Sequence, residues 1–320
     1  MSTLIDVKNL KKYFNVAKGT LHAVDDITFS IEDGQTLGVV GESGCGKSTL
    51  GRTVIHLLEP TSGQIFFEGE DISKPDKAKL RELRKKMQFI FQDPYSSLNA
   101  RMNTMEIIME PLLINGMSKT EAREAAHKIM DVVGIARRLE GVYPHELDGG
   151  RRQRIGIARS LVLNPKFIIC DEPVSALDVS IQAQILNLMQ DLQEQMGLTY
   201  IFITHDLSVV KYISDNILVM YLGNMVEYAS TKELFKNPVH PYTRALLSAV
   251  PTVDIDAPKK KILLEGEIFS PINPKPGCRF APRCRYATDK CREAQPELKD
   301  IGGGHVVACH NIASVRPETV

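Results

Sequence analysis

Alternating apolar and polar positions in LIDVKNL (4–10) and HAVDDITFSI (22–31) predict two antiparallel strands, each with one buried face. The continuous apolar run TLGVV (36–40) predicts a fully buried strand, which leads through GESGCGKST into a helix over TLGRTVIHLL. After the turn residues PTSG, the stretch GQIFFEGEDI predicts a strand pair. From about Asp93 to Glu146 the periodicity is helical, and Ser118 with Glu121 has capping-box spacing ahead of AREAAHKIMDVVGI. FIICDEP, TYIFITHD and NILVMYLGNMVEYA return to strands, separated by the helix IQAQILNLMQDLQEQM. This is the βαβ alternation of a parallel sheet. Prolines become frequent after Asn237, so a boundary is expected near 235–260, with no internal repeat and no low-complexity tract on either side.

Composition narrows the class. A chain of 320 residues, 43% hydrophobic and 24% charged, has material for one large globular domain plus an appendage, or for two domains. Lys+Arg 39 balances Asp+Glu 39, so no global field points to nucleic acid, and no local basic patch stands out. The start, MSTLIDVKNLKKYF, has no apolar core ahead of a cleavage site, and no run approaches the roughly 18 apolar residues of a membrane span. A cytosolic chain is expected, in which six cysteines are not a disulfide framework.

The chemistry is concentrated at strand ends. Gly41 to Thr49 fits G-x-x-x-x-G-K-[ST] between a predicted strand and a predicted helix. Backbone N–H groups of Ser43, Gly44, Cys45 and Gly46 can cradle phosphate oxygens, Lys47 adds a positive charge, and Ser48 offers a hydroxyl to Mg²⁺. Asp171 and Glu172 end an apolar strand, where the first can serve a Mg²⁺ shell and the second can orient and deprotonate a water. Alone, such a pair is often only a polar turn. His205 and Gln92 also follow apolar strands, where a ring nitrogen and an amide can reach the same chemistry; a lone residue of either type is ordinarily structural.

The ordered set GESGCGKST, FIFQD, LDGGRRQR, FIICDEP, SALD and FITHD resembles the ATP-binding cassette ATPases of membrane transporters over about residues 4–235. The resemblance implies a P-loop NTPase α/β core with an antiparallel β subdomain, a helical insertion at about 93–160, and a small cysteine-containing C-terminal extension over 236–320. It implies ATP and Mg²⁺ as ligands, with Tyr13 as the aromatic that stacks on adenine and Ser175 to Asp178 as the loop between two cassettes. FQDPYSSLNARM, NPVHPYTRALLSAVP and PGCRFAPRCRYATDKC narrow the resemblance to dipeptide and oligopeptide importer ATPases. Such ATPases dock on the cytoplasmic face of integral permeases, pair with a second ATPase subunit that is often different, and are served indirectly by an extracytoplasmic solute-binding protein. Nickel chelates and glutathione-like peptides are alternative cargoes, and a soluble non-transport cassette protein is the rival class.

In the family, the position of LDGGRRQR usually reads L-S-G-G-Q at a helix start facing the γ-phosphate held by the opposite cassette, with Gly149 and Gly150 bare for that approach. Here Asp148 and Arg151 stand where Ser and Gln are usual. The like-charge argument favours a composite site weakened by the Asp148 carboxylate, with an Asp148–Arg151 pair that remains competent as the alternative; the plainer reading of Asp148 is an N-cap. Cys278, Cys284, Cys291 and Cys309 are spaced C-x₅-C-x₆-C-x₁₇-C, where metal coordination can substitute for a hydrophobic core. The resemblance favours a [4Fe–4S] cluster, with zinc or uncoordinated thiols as alternatives.

Overall fold

The computed structural model describes residues 2–250, 261–266 and 269–315. Pro251 and parts of the expected 236–320 extension therefore lie outside the described residues. The chain resolves into two compact units. One comprises Met1–Ser2, Glu32–Gln35 and Lys74–Phe202; the other comprises Thr3–Ile31, Thr36–Ser73 and Ile203–Val320.

The second unit contains a four-stranded sheet in the order Gly19–Glu32, Thr3–Val16, Ser62–Phe67, Glu70–Asp71. Ile5 lies opposite Phe67 and Val7 opposite Ile65, so the predicted alternation sets the buried face. The alternation then skips to Leu10, because Asn9 takes φ 48° and the register slips between Lys8 and Lys11. A further run of strands lies in the order Leu298–Asp300, Val306–Ala308, Asn224–Ser230, Asn216–Tyr221, Thr36–Val40, antiparallel except for the last pair. Thr36–Val40 is buried throughout, as its uninterrupted apolar run requires. Residues from Asn237 onward share this core: Tyr242, Leu247 and Phe280 pack with Val40, Val219 and Tyr221.

Between Asn216–Tyr221 and Asn224–Ser230 the turn is Leu222–Gly223, at φ 45° and 87°. Positive φ at both positions matches the twist of the paired strands, and a Cβ on Gly223 would stand 2.4 Å from the His22 carbonyl oxygen. The predicted helix TLGRTVIHLL is shorter than its periodicity suggests, spanning Lys47–Val54, because Ile55 caps it and His56 turns to φ 56°.

In the first unit Met87–Ile90 runs parallel to Phe167–Asp171, with Thr199–Ile203 next in order. From Pro94 to Leu161 every element is helical: Pro94–Ser97, Thr104–Ile114, Lys119–Val132, two short 3₁₀ turns, and Gly149–Leu161. Ser118 and Glu121 form the expected reciprocal cap. No helix among the described residues is long and apolar enough to cross a membrane.

Candidate functional site

The phosphate loop lies in the second unit, between the strand Thr36–Val40 and the helix Lys47–Val54. Gly46 is the helix N-cap at φ 105°, and no side chain caps the helix there; the first amides of a helix lack intrahelical partners and suit an anion. A Cβ at Gly46 would stand 2.0 Å from the Ala23 carbonyl oxygen, whereas one at Gly44 would meet nothing within 4 Å. The loop is thus tight on its inner side and open on the other. Cys45 faces inward, and burial raises its thiol pKa, which suits a filler rather than a nucleophile. Lys47, 5% exposed, donates from Nζ to the carbonyls of Gly41 at 2.7 Å and Glu42 at 3.1 Å. Its charge is aimed by the loop's own backbone.

Tyr13 lies in the same unit and is half-buried. Its hydroxyl donates to Asp25, and its ring stacks on His22 with centroids 3.9 Å apart. Burial and the bond to Asp25 push the phenol pKa up, so it remains a donor. Burial pushes the Asp25 carboxyl up, but bonds from Tyr13 and His22 and the charge of Arg279 together hold it below the ordinary range. The Leu222–Gly223 turn backs this region: Gly223 donates to the Cys45 carbonyl at 2.8 Å and accepts from the Asp25 amide at 2.8 Å. His205 is exposed just past the strand Thr199–Ile203, ahead of Asp206, which caps the helix Leu207–Ile213.

The first unit holds the other predicted residues. Asp171 is buried at the end of its strand. Glu172 follows at φ 48°, a left-handed conformation that costs a glutamate about 1–2 kcal/mol. Ser175 holds that conformation, its amide and hydroxyl reaching the Glu172 carbonyl at 3.3 and 3.1 Å. Gln92 Nε2 donates to Glu172 Oε2 at 2.9 Å, so two residues read separately from the sequence meet in one contact.

Asp148 caps the helix Gly149–Leu161, accepting the Arg151 amide at 2.8 Å on one oxygen and the Arg151 guanidinium at 3.3 Å on the other. Both oxygens of the unusual acid are therefore engaged by the unusual arginine. The rest of the basic run ties down carbonyls: Arg152 bonds Pro144, Arg154 bonds Val133, and Arg159 bonds Ser97, each at 2.6 Å. Gly149 and Gly150 have an intramolecular reason to be bare, since a Cβ would stand 3.1 Å from Leu177 in the first case and 2.8 Å from Ile181 in the second.

All four C-terminal cysteines, with His240 and His310, line one small cavity in the second unit. Burial pushes the Cys278 thiol to about 11 and raises Cys284 and Cys309. As the side chains stand, no group of three or more His, Cys, Asp or Glu among the described residues is arranged to hold a metal ion. Sequence reasoning missed Asp25, Glu42, Tyr242, Arg279 and Arg283. The only local hint was a pair of arginines inside CRFAPRC.

An uncapped glycine loop at a helix start, backed by an antiparallel sheet and paired in one chain with a carboxylate-ended parallel strand, defines a P-loop nucleotide-binding ATPase. Residues 24–175 match the ABC transporter family model, and 226–291 match the model of the oligopeptide/dipeptide transporter C-terminal region. The chain belongs to the ABC transporter family, among its ATP-binding proteins. It is 51% identical to the oligopeptide transport ATP-binding protein AppF of Bacillus subtilis, over 96% of this chain and 97% of that one. It is 49% identical to the dipeptide transport ATP-binding protein DppF of Haemophilus influenzae, over 97% of each. Among solved structures, cbiO1 of Clostridium perfringens, part of the transporter complex cbiONQ, aligns with TM-score 0.66 and 30% identity, covering 74% of this chain and 92% of that one. A dimeric post-hydrolysis state of the ATP-binding cassette MJ0796 bound to ADP and Pi aligns with TM-score 0.65 and 28% identity, covering 71% and 99%.

Proposed function

We propose that this chain is the ATP-hydrolysing subunit of an importer for oligopeptides or dipeptides, attached peripherally to the cytoplasmic face of an integral permease and paired with a second cassette. The observation that carries this reading is the match of both the ABC transporter model and the oligopeptide/dipeptide C-terminal model along one chain. Residues 1–235 form the nucleotide-binding domain and 236–320 the extension. Gly41 to Thr49 hold the phosphates, Lys47 neutralises their charge, and Tyr13 stacks on the base. Glu172 deprotonates the attacking water, and His205 contacts the γ-phosphate. Ser48, Gln92 and Asp171 would hold Mg²⁺; all three offer oxygen, the donor a hard cation takes. Asp148 to Arg151 face the partner's ATP, and the two-pronged Asp148–Arg151 contact favours a neutralised pair over an uncompensated acid.

Cys278, Cys284, Cys291 and Cys309 would hold a metal centre, an iron–sulfur cluster first and zinc second. Their convergence on one cavity supports this reading. A bound cation would draw the raised thiols into the thiolate form.

Replacing Glu172 with Gln removes the base and keeps the shape. In the assembled transporter, Glu172→Gln is expected to keep ATP binding and lose at least about tenfold in steady-state hydrolysis. Hydrolysis at the parental rate would sink the assignment of Glu172. A chain that never co-purifies with a permease would sink the transporter reading.

A further inference from the structure

Two arginines of the cysteine segment reach the nucleotide-site residues of the second unit. Arg283, its side chain 7% exposed, grips Glu42 of the phosphate loop with two prongs, Nη1 to Oε2 at 2.8 Å and Nη2 to Oε1 at 3.2 Å. A planar guanidinium meeting a carboxylate in this way fixes orientation as well as distance. The same glutamate is held at two more points. Its amide donates to the Tyr242 hydroxyl at 2.8 Å, and its carbonyl accepts from Lys47. Moving Glu42 therefore moves one of the two carbonyls that aim the Lys47 ammonium.

Arg279 does the equivalent for the aromatic. With its side chain 9% exposed, it donates to Asp25 and to the Leu222 carbonyl, and Asp25 in turn accepts the Tyr13 hydroxyl. Burial lowers the Arg279 pKa, yet the Asp25 charge beside it favours the cation. Between the two arginines, Phe280 is locked in the core, and just before them Cys278 is tied by its amide to the Cys291 carbonyl at 2.8 Å.

We propose that Arg283 and Arg279 are positioning residues of the ATP site: Arg283 sets the phosphate loop through Glu42, and Arg279 sets the adenine platform through Asp25 and Tyr13. The proposal rests on the reading of Gly41–Thr49 and Tyr13 as the nucleotide site. It gives the cysteine segment a direct purchase on nucleotide affinity, since both arginines adjoin its cysteines.

The test is calorimetric titration of the full chain with ATP and, separately, with inorganic tripolyphosphate, which offers phosphates and no base. Arg283→Ala and Glu42→Ala are each expected to weaken both ligands by about 2- to 30-fold, the range of coupling through packed networks. The double variant should be no worse than either single one, and Arg283→Lys should recover part of the loss. Arg279→Ala should weaken ATP while leaving tripolyphosphate within about twofold. In the reconstituted transporter, Arg283→Ala should raise KM for ATP with kcat nearly kept, a split that general destabilisation does not produce. If Arg283→Ala fails to fold, Glu42→Ala tests the same contact from the loop side. A parent that binds ATP, with variants that bind it equally well or with additive losses in the double variant, would overturn the positioning role alone. A parent that binds no ATP would overturn the underlying reading and this one together.

Discussion

Gly150 and Gly156 lie in the same helix and are bare for opposite reasons. At Gly150 an added methyl collides with Ile181, and at Gly156 it meets nothing within 4 Å. Gly150→Ala is expected to destabilise the chain by about 1–3 kcal/mol through overpacking, while Gly156→Ala should stabilise it by about 0.5–1 kcal/mol through helix propensity. Urea unfolding of the two variants beside the parent checks both signs. The contrast also marks what the sequence can carry. LDGGRRQR announced an unusual helix start, and Asp148 is indeed an N-cap. Leu177 and Ile181 fall some 30 residues downstream, so their crowding of the two glycines has no local trace. Glu42 and Arg283 are 241 residues apart, and neither belongs to a motif that points to the other.

At the scale of elements, the helix Pro241–Ser248 shows how a short segment serves the site. His240 caps it, Nδ1 accepting the Tyr242 amide at 3.2 Å, and Tyr242 then reaches the Glu42 amide. The cap requires a lone pair on Nδ1, so the ring must be neutral. Burial lowers the His240 pKa to about 4, against the opposing pull of Glu227, whose buried carboxylate also faces His305. An unfolded histidine takes up its proton near 6.5. The unfolded chain therefore binds more protons between these values. The His240 contribution is full above about pH 6.5 and is lost as the pH falls towards 4, on the order of 1–3 kcal/mol. His240→Asn keeps a capping acceptor and removes the titration. Thermal unfolding between pH 7 and 4.5 should show a shallower loss of Tm for this variant than for the parent, and equal slopes would reject the account.

Elements were otherwise legible where their pattern was strong. The buried run TLGVV and the Ser118–Glu121 box are both where the sequence put them. The helix Lys77–Lys86 has little sequence signal, because Leu80 and Leu83 are the only large apolar residues among its ten, and its Asp76 cap alone is a weak cue.

For the whole molecule, metal content is the outstanding measurement. Chain purified anaerobically is expected to carry iron and sulfide in near-equal amounts, or one zinc, and to lose the metal when Cys291 is replaced by Ser. Elemental analysis that finds neither leaves the quartet as four buried or half-buried thiols. The division of the chain has a consequence for its synthesis. The strand Thr36–Val40 pairs with Asn216–Tyr221, and the phosphate loop that follows it is gripped by residues 242 and 283. At a ribosomal pace of roughly 5–20 residues per second, that strand emerges some 10–40 s before its partner and stays without it throughout. An apolar strand waiting so long is a natural client for a chaperone. The loop after it is not held at Glu42 by Arg283 until translation has passed that residue, so nascent chains still on the ribosome should be poor competitors for cellular ATP.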